Sequence, residues 1–447
     1  MRETLVKTEE FKDSPVEKIP KDWEVVSLKN EINILHGYAF EGEYFADEPP
    51  GDVLLVPGNF HRDGGLYFDD NNTKYYRGLI PDGTVLEKGE LLIVMTDLSP
   101  RTLILGRVVL LKLPFRVLHN QRIGKIVPKL PNTWDKRFLL LVMNSDTVRR
   151  NIISNATGTT VRHTSPDRIL ANVVPKPPVE EQSKIAEILD TINLAIAHTS
   201  SLIAKLKQMK AGLLHDLLTR GLDENGELRD AIGQPEQFKD SPLGRIPKDW
   251  EVFKLSEIVP HAEYGISVSL DDEDGIPVLR MNNLKDGEVD LTDLKKSASS
   301  KTANLLLQPL DVLFNRTNSI EHVGRTAIWR GQIEQASFAS YLVRLLPEQS
   351  KLIPEYLNVW LNLPTTQLLI RRYATPGVHQ VNINPTNLRK VLIALPQKTS
   401  EQETIVERIA AHDTRIRAEE AYRNKLKLQK QGLMHDLLTG KVRVKNA

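Results

Sequence analysis

The chain has 447 residues, a formal charge of +1 from 59 Lys and Arg against 58 Asp and Glu, and no cysteine. At roughly 100–200 residues per domain this length predicts two to four domains, and the lack of cysteine excludes disulfide scaffolds, thiolate zinc sites and cysteine nucleophiles. No apolar run approaches the ~20 residues that cross a bilayer, and charged residues follow Met1 where a signal sequence would be apolar, so we expect a cytoplasmic protein. A total charge near zero also argues against a polyanionic partner.

Two stretches of the sequence occur twice. Residues 11–28 reappear as residues 238–255, with thirteen of eighteen positions identical at an offset of 227. The heptapeptide at 213–219 returns at 433–439 with one change, at an offset of 220. Two matches in the same order and at nearly the same spacing indicate an ancient duplication, in which one unit of about 220 residues is used twice.

Between the repeated stretches, residues 29–170 and 256–390 share only a faint skeleton. Both contain short runs rich in Val, Ile and Leu that Gly, Pro, Asn and Asp interrupt, a pattern that predicts β-structure. Three segments align between the copies: Val56–Asn59 with Arg280–Asn283, Gly89–Thr96 with Leu310–Thr317, and Gly106-Arg107 with Gly324-Arg325. One helical pattern follows in each copy, over Lys136–Asn151 and over Tyr356–Tyr373. Each copy is therefore predicted to be a mixed α/β domain.

A long helix is predicted to close each copy. Pro178 ends the first domain, and Glu180 and Glu181 open a helix with the acidic residues that the helix dipole favours at an N-terminus. Apolar residues keep a heptad spacing from there onward, which predicts a coiled coil. The predicted seam consists of Ile185, Leu189, Ile192, Ile196, Ile203, Leu206, Leu213 and Leu217 in the first helix and Ile405, Ile409, Ile416, Leu426, Leu433 and Leu437 in the second. The alternative is two surface helices, each packed on its own domain.

The path of the chain favours antiparallel helices. A helix of about 40 residues is a rod of ~60 Å, and parallel helices would require the chain to return over that whole length. The predicted fold class is therefore α+β, with two mixed α/β domains separated by two long antiparallel helices that form a coiled coil, in a pseudo-two-fold internal repeat. The predicted segments are an anchor at 1–28 that packs near the C-terminal helix, the first domain at 29–177, the central helix at 178–220, a linker with the repeated anchor at 221–255, the second domain at 256–398 and the C-terminal helix at 399–440.

The near-neutral total charge hides a repeated local pattern. Residues 101–168 carry 13 Lys and Arg against three Asp, a net charge of +10, and residues 316–390 carry 9 against four Glu, a net charge of +5. The stretches in front are acidic, with 8 basic and 17 acidic residues in 11–100 and 5 and 11 in 257–315. This division predicts a basic face on each domain for a phosphate backbone. The alternative is that the acidic and basic halves pair with each other.

The loops of both domains carry side chains that suit the reading of base edges. Arg can bind guanine with two hydrogen bonds and Asn or Gln can bind adenine in the same way, so clusters of these residues at strand ends predict contacts in the major groove. The predicted DNA-binding residues are Asn59, His61, Arg62, Thr96, Arg101, Asn120, Gln121 and Arg122 in the first copy and Arg280, Asn282, Asn283, Asn315, Arg316, Thr317, Asn318, Ser319 and Arg325 in the second. The alternative for each of them is a solvated side chain or a turn former.

Motifs of catalysis are missing from the sequence. It has no phosphate-binding loop, no Gly-x-Gly-x-x-Gly fingerprint, no Asn/Asp-Pro-Pro-Tyr stretch and no zinc-binding His spacing. Asp290 and Asp293 faintly resemble a metal-nuclease carboxylate cluster, but the first copy has no counterpart. The repeated pairs His215-Asp216 and His435-Asp436 are adjacent on a helix and therefore point about 100° apart, which favours capping or docking. We predict no catalytic residue, no metal site and no cofactor.

At these residues the chain resembles the specificity subunit of type I restriction-modification systems over essentially its full length. The resemblance is carried by Phe-Lys-Asp-Ser-Pro-x-x-x-Ile-Pro-Lys-Asp-Trp-Glu-Val at 11–25 and 238–252, by Pro-x-x-Glu-Gln at 178–182 and by Leu-Leu-His-Asp-Leu-Leu-Thr-x-Gly at 213–221. The second copy departs from the family pattern at 395–402, where a different sequence replaces the proline-rich opening of the helix.

The resemblance implies a non-catalytic subunit of a phage-defence complex. In this family two target-recognition domains each read one half of a split sequence in double-stranded DNA, and the coiled coil sets the spacer between the halves. Two methyltransferase subunits bind the scaffold and modify adenine with S-adenosylmethionine, and restriction subunits with translocase activity join them to cleave unmodified DNA. The family has no membrane partner.

Three other functions are compatible with the sequence. One is a specificity scaffold in a different methylation-based phage-defence complex. Another is a protein-binding coiled-coil scaffold that does not contact DNA. The last is an autonomous nuclease that uses Asp290 and Asp293.

Overall fold

The two copies of the repeat fold through nearly the same order of elements in a computed structural model, which describes residues 3–377 and 380–446. Residues 1, 2, 378, 379 and 447 lie outside the described residues, so small parts of the predicted segments 1–28 and 256–398 are not covered.

In the first copy the strands are β1 (Glu3–Lys7), β2 (Phe11–Lys12), β3 (Ile19–Pro20), β4 (Glu24–Ser27), β5 (Ile32–His36), β6 (Phe45–Ala46), β7 (Asp52–Leu55), β8 (Lys74–Tyr76), β9 (Val85–Leu86), β10 (Leu91–Val94), β11 (Thr96–Asp97), β12 (Val108–Leu110), β13 (Val117–His119), β14 (Ile123–Pro128), β15 (Arg162–His163) and β16 (Val173–Lys176). The helices are α1 (Leu28–Glu31), α2 (Lys136–Met143), α3 (Asp146–Ser154), α4 (Pro166–Leu170) and α5 (Val179–Thr219), with single 3-10 turns at Gly42–Tyr44 and Pro57–Asn59.

In the second copy the strands are β17 (Phe238–Ser241), β18 (Gly244–Pro247), β19 (Trp250–Lys254), β20 (His261–Tyr264), β21 (Ile276–Leu279), β22 (Leu284–Lys285), β23 (Gly287–Val289), β24 (Lys295–Ser297), β25 (Val312–Asn315), β26 (Thr317–Asn318), β27 (Thr326–Ile328), β28 (Ser337–Phe338), β29 (Leu342–Leu346), β30 (Thr375–Pro376), β31 (Val381–Asn382) and β32 (Leu392–Pro396), and β33 (Val442–Asn446) ends the chain. The helices are α6 (Leu255–Ile258), α7 (Ser300–Ala303), α8 (Pro354–Leu361), α9 (Pro364–Arg371), α10 (Pro385–Leu388) and α11 (Thr399–Leu438), with 3-10 turns at Pro235–Gln237 and Met281–Asn283.

The main sheet has the same topology in both domains. In the first domain the sheet has the antiparallel order β12-β10-β14-β5. In the second domain the equivalent order is β27-β25-β29-β20, and the sheet extends beyond β27 through β23 to β22. A smaller sheet contains one parallel pair in each domain, β7 with β13 and β21 with β28. Along β5, Ile32 and Ile34 are buried whereas Asn33 and Leu35 are exposed, the period of two expected for a strand with one face on a core.

The prediction of one helix after the main sheet is wrong in both copies, because the predicted segment forms two short helices in each copy. The first copy has α2 and α3, separated at Asn144-Ser145, and the second has α8 and α9, separated at Asn362-Leu363. The Ser145 hydroxyl caps the new N-terminus by accepting from the Val148 amide, and Pro364 occupies the first turn of α9, where its missing N–H is not needed. The helical periodicity of the sequence continues across each break, so the periodicity does not reveal where the first helix ends.

An asparagine at each break ties the helices to the main sheet. The Asn144 side chain accepts from the Val108 amide (3.1 Å) and donates to the Val108 carbonyl (2.8 Å). Asn362 makes the same two bonds to Thr326, both at 3.2 Å. Val108 and Thr326 follow the aligned Gly-Arg pairs, so the faint skeleton of the sequence corresponds to a repeated contact.

The chain divides into two compact units, Met1–Thr199 with Tyr422–Ala447, and Ser200–Ala421. The two long helices α5 and α11 are shared between the units. In the first unit Ile185 and Leu189, near the start of α5, share a core with Leu437, near the end of α11. In the second unit the Lys207 ammonium lies 2.7 Å from the Glu420 carboxylate and the Lys210 ammonium 2.6 Å from that of Asp413. Residues further along α5 therefore contact residues that come earlier in α11. The helices are antiparallel in both units.

The residues predicted for the seam of the coiled coil are buried or half-buried at every position. Thr199, which interrupts the heptad pattern, is also buried, and its hydroxyl donates to the Ala195 carbonyl within the helix. In the part of the chain that the structure describes, no helix is long and apolar enough to cross a membrane.

A buried glutamate joins three segments in the first unit. Glu181, in the first turn of α5, accepts from the Trp23 indole at 3.1 Å and from the Arg443 guanidinium at two distances of 2.6 Å. Arg443 also binds both carboxylate oxygens of Asp22 at 2.8 Å, and the hydrogen bond to Glu181 raises the pKa of the guanidinium. The anchor, the start of α5 and the chain after α11 are thereby held together. We call these four residues the first lock.

The second unit contains the equivalent set. Glu401, in the first turn of α11, accepts from the Trp250 indole at 3.2 Å and from Arg229 at 3.0 Å, and Arg229 binds Asp249 at 2.8 Å. We call these four residues the second lock. Because Arg229 follows the end of α5 as Arg443 follows the end of α11, each lock joins one anchor to the ends of both long helices within its own unit.

Candidate nucleic-acid interface

The predicted site residues Thr96, Gln121 and Arg122 lie together at a cleft of about 440 Å³ in the first domain. The short ribbon β11–β15 forms one wall, where Thr96 pairs with His163. The turn between β13 and β14 carries Gln121 and Arg122, and the Met95 amide donates to the Arg122 carbonyl at 3.0 Å. This backbone bond fixes the turn beside the ribbon.

Most of the lining side chains of this cleft are polar. His36, Gln121, Arg122 and His163 are exposed, and the His163 Nδ1 lies 3.1 Å from the Thr96 hydroxyl. We call His36, Thr96, Gln121, Arg122, His163 and Thr164 the first ribbon site.

The second domain repeats this backbone arrangement residue by residue. Thr317 pairs with Asn382 in the ribbon β26–β31, and the side-chain Nδ2 of Asn382 donates to the Thr317 hydroxyl at 2.8 Å. The Arg316 amide donates to the Tyr341 carbonyl at 3.0 Å, as Met95 does to Arg122. We call Tyr264, Arg316, Thr317, Ser340, Tyr341 and Asn382 the second ribbon site.

One glycine in each domain allows this close approach of segments. A Cβ on Gly37 would collide with the backbone carbonyls of His119 and Asn120, and a Cβ on Gly265 would collide with those of Phe338 and Ala339. These glycines directly follow His36 and Tyr264, which places the two side chains at corresponding points of the two sites.

In the second ribbon site the Arg316 side chain is held in a defined position. Its guanidinium lies over the Tyr264 ring at 5.1 Å, and Nη1 donates to the Ser340 carbonyl at 3.2 Å. Tyr264 and Tyr341 are both nearly half exposed, at 47% and 46%. The second domain therefore presents an arginine and two tyrosines, where the first presents an arginine, a glutamine and two histidines.

Four predicted asparagines are buried and bonded within their domains. Asn59 closes the turn Pro57–Asn59 by accepting from the Val56 amide, and Asn283 closes the turn Met281–Asn283 by accepting from the Arg280 amide, both at 2.8 Å. Asn120 accepts from the Arg122 amide at 3.0 Å, and Asn315 donates to the His322 carbonyl at 3.4 Å. At Asn59 and Asn283 both the oxygen and the nitrogen of the side chain are engaged within the domain, and the DNA-binding role of all four asparagines stays a prediction.

Other predicted residues of the second domain form two polar groups. Arg280 and Asn282 both bind the Asp293 carboxylate, at 2.7 Å and 3.0 Å, and the bond from Arg280 lowers the pKa of Asp293. In the loop after β26 the Ser319 amide donates to the Asn318 side chain at 2.8 Å. Arg325 is half-buried.

The remaining predicted residues of the first domain lie on its surface and do not line the cleft of the first ribbon site. His61 is exposed, and its ring packs edge-on against Tyr67 at 5.6 Å. Arg62 lies 3.8 Å from Asp63, with both side chains largely exposed. Arg101 is also exposed, in the loop between β11 and β12.

Acidic and basic halves pair with each other in part. In the first domain Lys125 binds Glu90 at 2.9 Å and Arg116 approaches Asp52 at 3.4 Å. In the second, Arg344 binds Asp311 at 2.7 Å and also contacts Glu263. Within residues 3–377 and 380–446, however, Arg101, Arg122 and Arg150 have no ion-pair partner, so the first domain keeps uncompensated positive charge on its surface.

Two further arginines concentrate positive charge behind this surface. Burial, followed by the nearby Arg107 charge, lowers the pKa of Arg149 to about 10. Burial likewise lowers the pKa of Arg107, against the attraction of Asp63 and Asp146. Arginine is effectively always protonated in proteins, so both residues add to the positive charge of the domain.

The chain matches the family model described as the type I restriction modification DNA specificity domain twice, over residues 20–208 and 247–428. The chain belongs to this family. Each match begins within one anchor and covers one domain with its ribbon site and most of one long helix, so this specificity chain contains two copies of the family unit.

Named relatives match the specificity chain over most of its length. The type I restriction enzyme EcoBI specificity subunit of Escherichia coli is 27% identical over 401 residues, which cover 88% of this chain and 79% of that subunit. The type I restriction enzyme MjaVIII specificity subunit of Methanocaldococcus jannaschii is 25% identical over 454 residues, covering 98% of this chain and 97% of that subunit.

Solved structures show the same fold. The type I restriction-modification S subunit of M. genitalium superposes with a TM-score of 0.55 at 13% identity, over 93% of this chain and 96% of its own. A chain from work on complex assembly and conformational transition of the type I R-M system superposes with a TM-score of 0.57 at 15% identity, over 95% and 99%. The predicted fold class, two mixed domains with two long antiparallel helices in an internal repeat, is confirmed.

The residues that resembled catalytic groups have ordinary partners in this specificity chain. Asp290 accepts from the Thr292 hydroxyl at 2.7 Å, and the His435 ring lies 2.7 Å from the Lys441 ammonium. Within the described residues no group of three or more His, Asp or Glu side chains could hold a metal ion.

Sequence reasoning missed His36, His163, Tyr264, Tyr341 and Asn382. These residues meet Thr96, Arg122, Arg316 and Thr317 only through strand pairing between segments far apart in the chain. One sequence pattern could have identified two of them, because His36 and Tyr264 each precede a glycine at the end of a short β-run that follows the repeated anchor.

Proposed function

We propose that the chain is the non-catalytic specificity subunit of a type I restriction-modification complex, in which each domain reads one half of a bipartite DNA target. The observation that carries the proposal is the double family match on a repeated structure. Two equivalent domains in one chain suit a target with two specified halves. Because the surface side chains of the domains differ, the two halves would have different sequences.

The long helices support a role in setting the spacer between the two halves. α5 and α11 each pass from one unit into the other as unbroken helices, and their seam residues are buried or half-buried throughout. A coiled coil resists bending and keeps a fixed length. We therefore propose that the number of helical residues, rather than a flexible linker, sets the number of unspecified base pairs.

The repeat also supports two copies of one partner. Leu202 on α5 and Tyr422 on α11 are equivalent positions at the offset of 220, and they are 36% and 51% exposed. Apolar side chains repeated on both helices suit two identical contacts, which is what two methyltransferase subunits would make. Restriction subunits with translocase activity would complete the complex, and adenine methylation with S-adenosylmethionine would take place on the methyltransferase subunits.

The division of labour between the domains can be tested by exchanging one of them. Residues 29–170 are replaced by those of another family member, and the exchanged chain is coexpressed with its methyltransferase subunit before the methylated sequences are read genome-wide. We expect one half of the methylated sequence to change while the other half and the spacer stay the same. A change in both halves, or in neither, would contradict the proposal.

A further inference from the structure

We propose that the two ribbon sites are the places where the chain reads base-pair edges in the major groove of its DNA target, one site for each half. This inference rests on the proposed function and names the residues that carry it. It assigns a reading role to His36, His163, Tyr264, Tyr341 and Asn382 in addition to Gln121, Arg122 and Arg316.

The two sites share their backbone arrangement and differ in their side chains. The hydrogen bond from the Thr164 amide to the Met95 carbonyl (2.9 Å) recurs as the bond from the Ile383 amide to the Arg316 carbonyl (2.8 Å). Of the side chains at equivalent points, only Thr96 and Thr317 are the same. Selection for folding alone would preserve the side chains together with the backbone. Two sites that read different DNA sequences need the same backbone with different side chains.

The two sites also carry side chains whose hydrogen-bonding groups suit base edges. Gln121 and Arg122 are adjacent and exposed, and these two residue types bind adenine and guanine edges with paired hydrogen bonds. The described residues offer Arg122 no carboxylate partner. In the second site the contacts with Tyr264 and Ser340 hold the Arg316 guanidinium in one place, which is the preorganisation that a specific contact requires.

The first ribbon site also contains a polar group without a hydrogen-bond partner among the described residues. Thr164 lines the cleft and is 8% exposed, and within the described residues its fully buried hydroxyl has no hydrogen-bond partner. A buried hydroxyl normally has a partner, because leaving it without one costs about 1–3 kcal/mol. A side-chain rotation that turns this hydroxyl toward the cleft would let an arriving donor or acceptor supply that partner.

The experiment uses the chain in complex with its methyltransferase subunit and reads the methylated sequence of each variant. Arg122→Ala should lower methylation of the original target by about tenfold and relax the first half only. Tyr341→Ala should alter the second half only. Lys88→Ala, an exposed residue of the first domain outside the ribbon site, is the matched control and should change neither half.

The variant His163→Asn distinguishes a change in DNA reading from a loss of folding. The second domain already has Asn382 bonded to Thr317 at this point, so the substitution keeps the hydrogen bond to Thr96 and should leave the melting temperature unchanged while altering the first half of the target. Unchanged sequences for all ribbon-site variants would overturn the inference. Equal weakening at every DNA sequence would overturn it as well, since that result indicates phosphate contacts. If the exchange of residues 29–170 changes one half while these variants do not, the inference fails and the proposed function stands.

Discussion

The Trp23 indole donates a hydrogen bond of 3.1 Å to the buried carboxylate of Glu181, and Trp250 donates one of 3.2 Å to Glu401 in the other unit. Each bond joins a repeated anchor to the first turn of a long helix. In both locks the carboxylate also binds an arginine that follows the end of the other helix. The repeated segments of the sequence therefore contain the residues that hold each anchor against the two long helices.

Removing the arginine of a lock should destabilise one unit. Arg443→Met leaves the Glu181 carboxylate buried without its cation, which typically costs about 3–5 kcal/mol. We expect the thermal unfolding transition of the first unit to move to lower temperature, and Arg229→Met to do the same for the second. Lys21→Met removes the exposed ion pair with Glu10 in the first unit and should change stability by less than about 1 kcal/mol. Equal effects of Arg443→Met and Lys21→Met would contradict the structural role of the first lock.

Acid should weaken the contact between Glu31 and Lys176. Burial raises the pKa of Glu31, but the hydrogen bonds from Lys176 (2.6 Å) and Trp134 (3.0 Å) outweigh it, so the pKa lies below the ordinary value of 4.5. Ionised Glu31 thus stabilises the fold above pH 4.5, and this contribution is lost as the pH falls through the lower pKa of the folded state.

Urea unfolding from pH 7 to pH 3 tests this dependence. The stability difference between the unmodified chain and Glu31→Gln should be full at pH 7 and should shrink below pH 4.5. Glu17→Gln, at an exposed position of the same unit, provides the control. A difference that stays constant down to pH 3 would show that the charge of Glu31 is unimportant.

The asparagines at the helix breaks, Asn144 and Asn362, should contribute equally to the free energy of unfolding of their domains. Asn144→Ala leaves the Val108 amide and carbonyl without their side-chain partner, and Asn362→Ala does the same to Thr326. Each unsatisfied group costs about 1–3 kcal/mol, so we expect a loss of at least that size in urea unfolding of either variant. Asn155→Ala, at the exposed end of α3, should have a smaller effect, and a comparable loss there would count against the bridges.

Lengthening both long helices tests their role as a spacer. One heptad inserted between Thr199 and Ser200 and another between Ala421 and Tyr422 would preserve the seam and add about 10 Å. We expect the preferred spacer to lengthen by about three base pairs, at ~3.4 Å each, with both half-sites unchanged. A spacer of the original length would show that the helices only hold the domains together.

The sequence predicted the parts of the fold that depend on local pattern. The heptads marked α5 and α11, and the repeated anchors marked the duplication. The breaks at Asn144 and Asn362 were missed, because what ends each helix is a contact with a distant strand. The ribbon sites were only partly predicted for the same reason, since Thr96 meets His163 across the domain. Sequence alone does not distinguish a side-chain amide that closes a turn, such as that of Asn59, from one that faces solvent.

The central claim is that one chain reads two different half-sites at a fixed separation. Methylome sequencing of a host that expresses the chain with its methyltransferase subunit tests it most directly. We expect a single motif with two specified blocks of different sequence, separated by a constant number of unspecified bases, with a methylated adenine in each block. One continuous motif, or two blocks at variable separation, would contradict the claim.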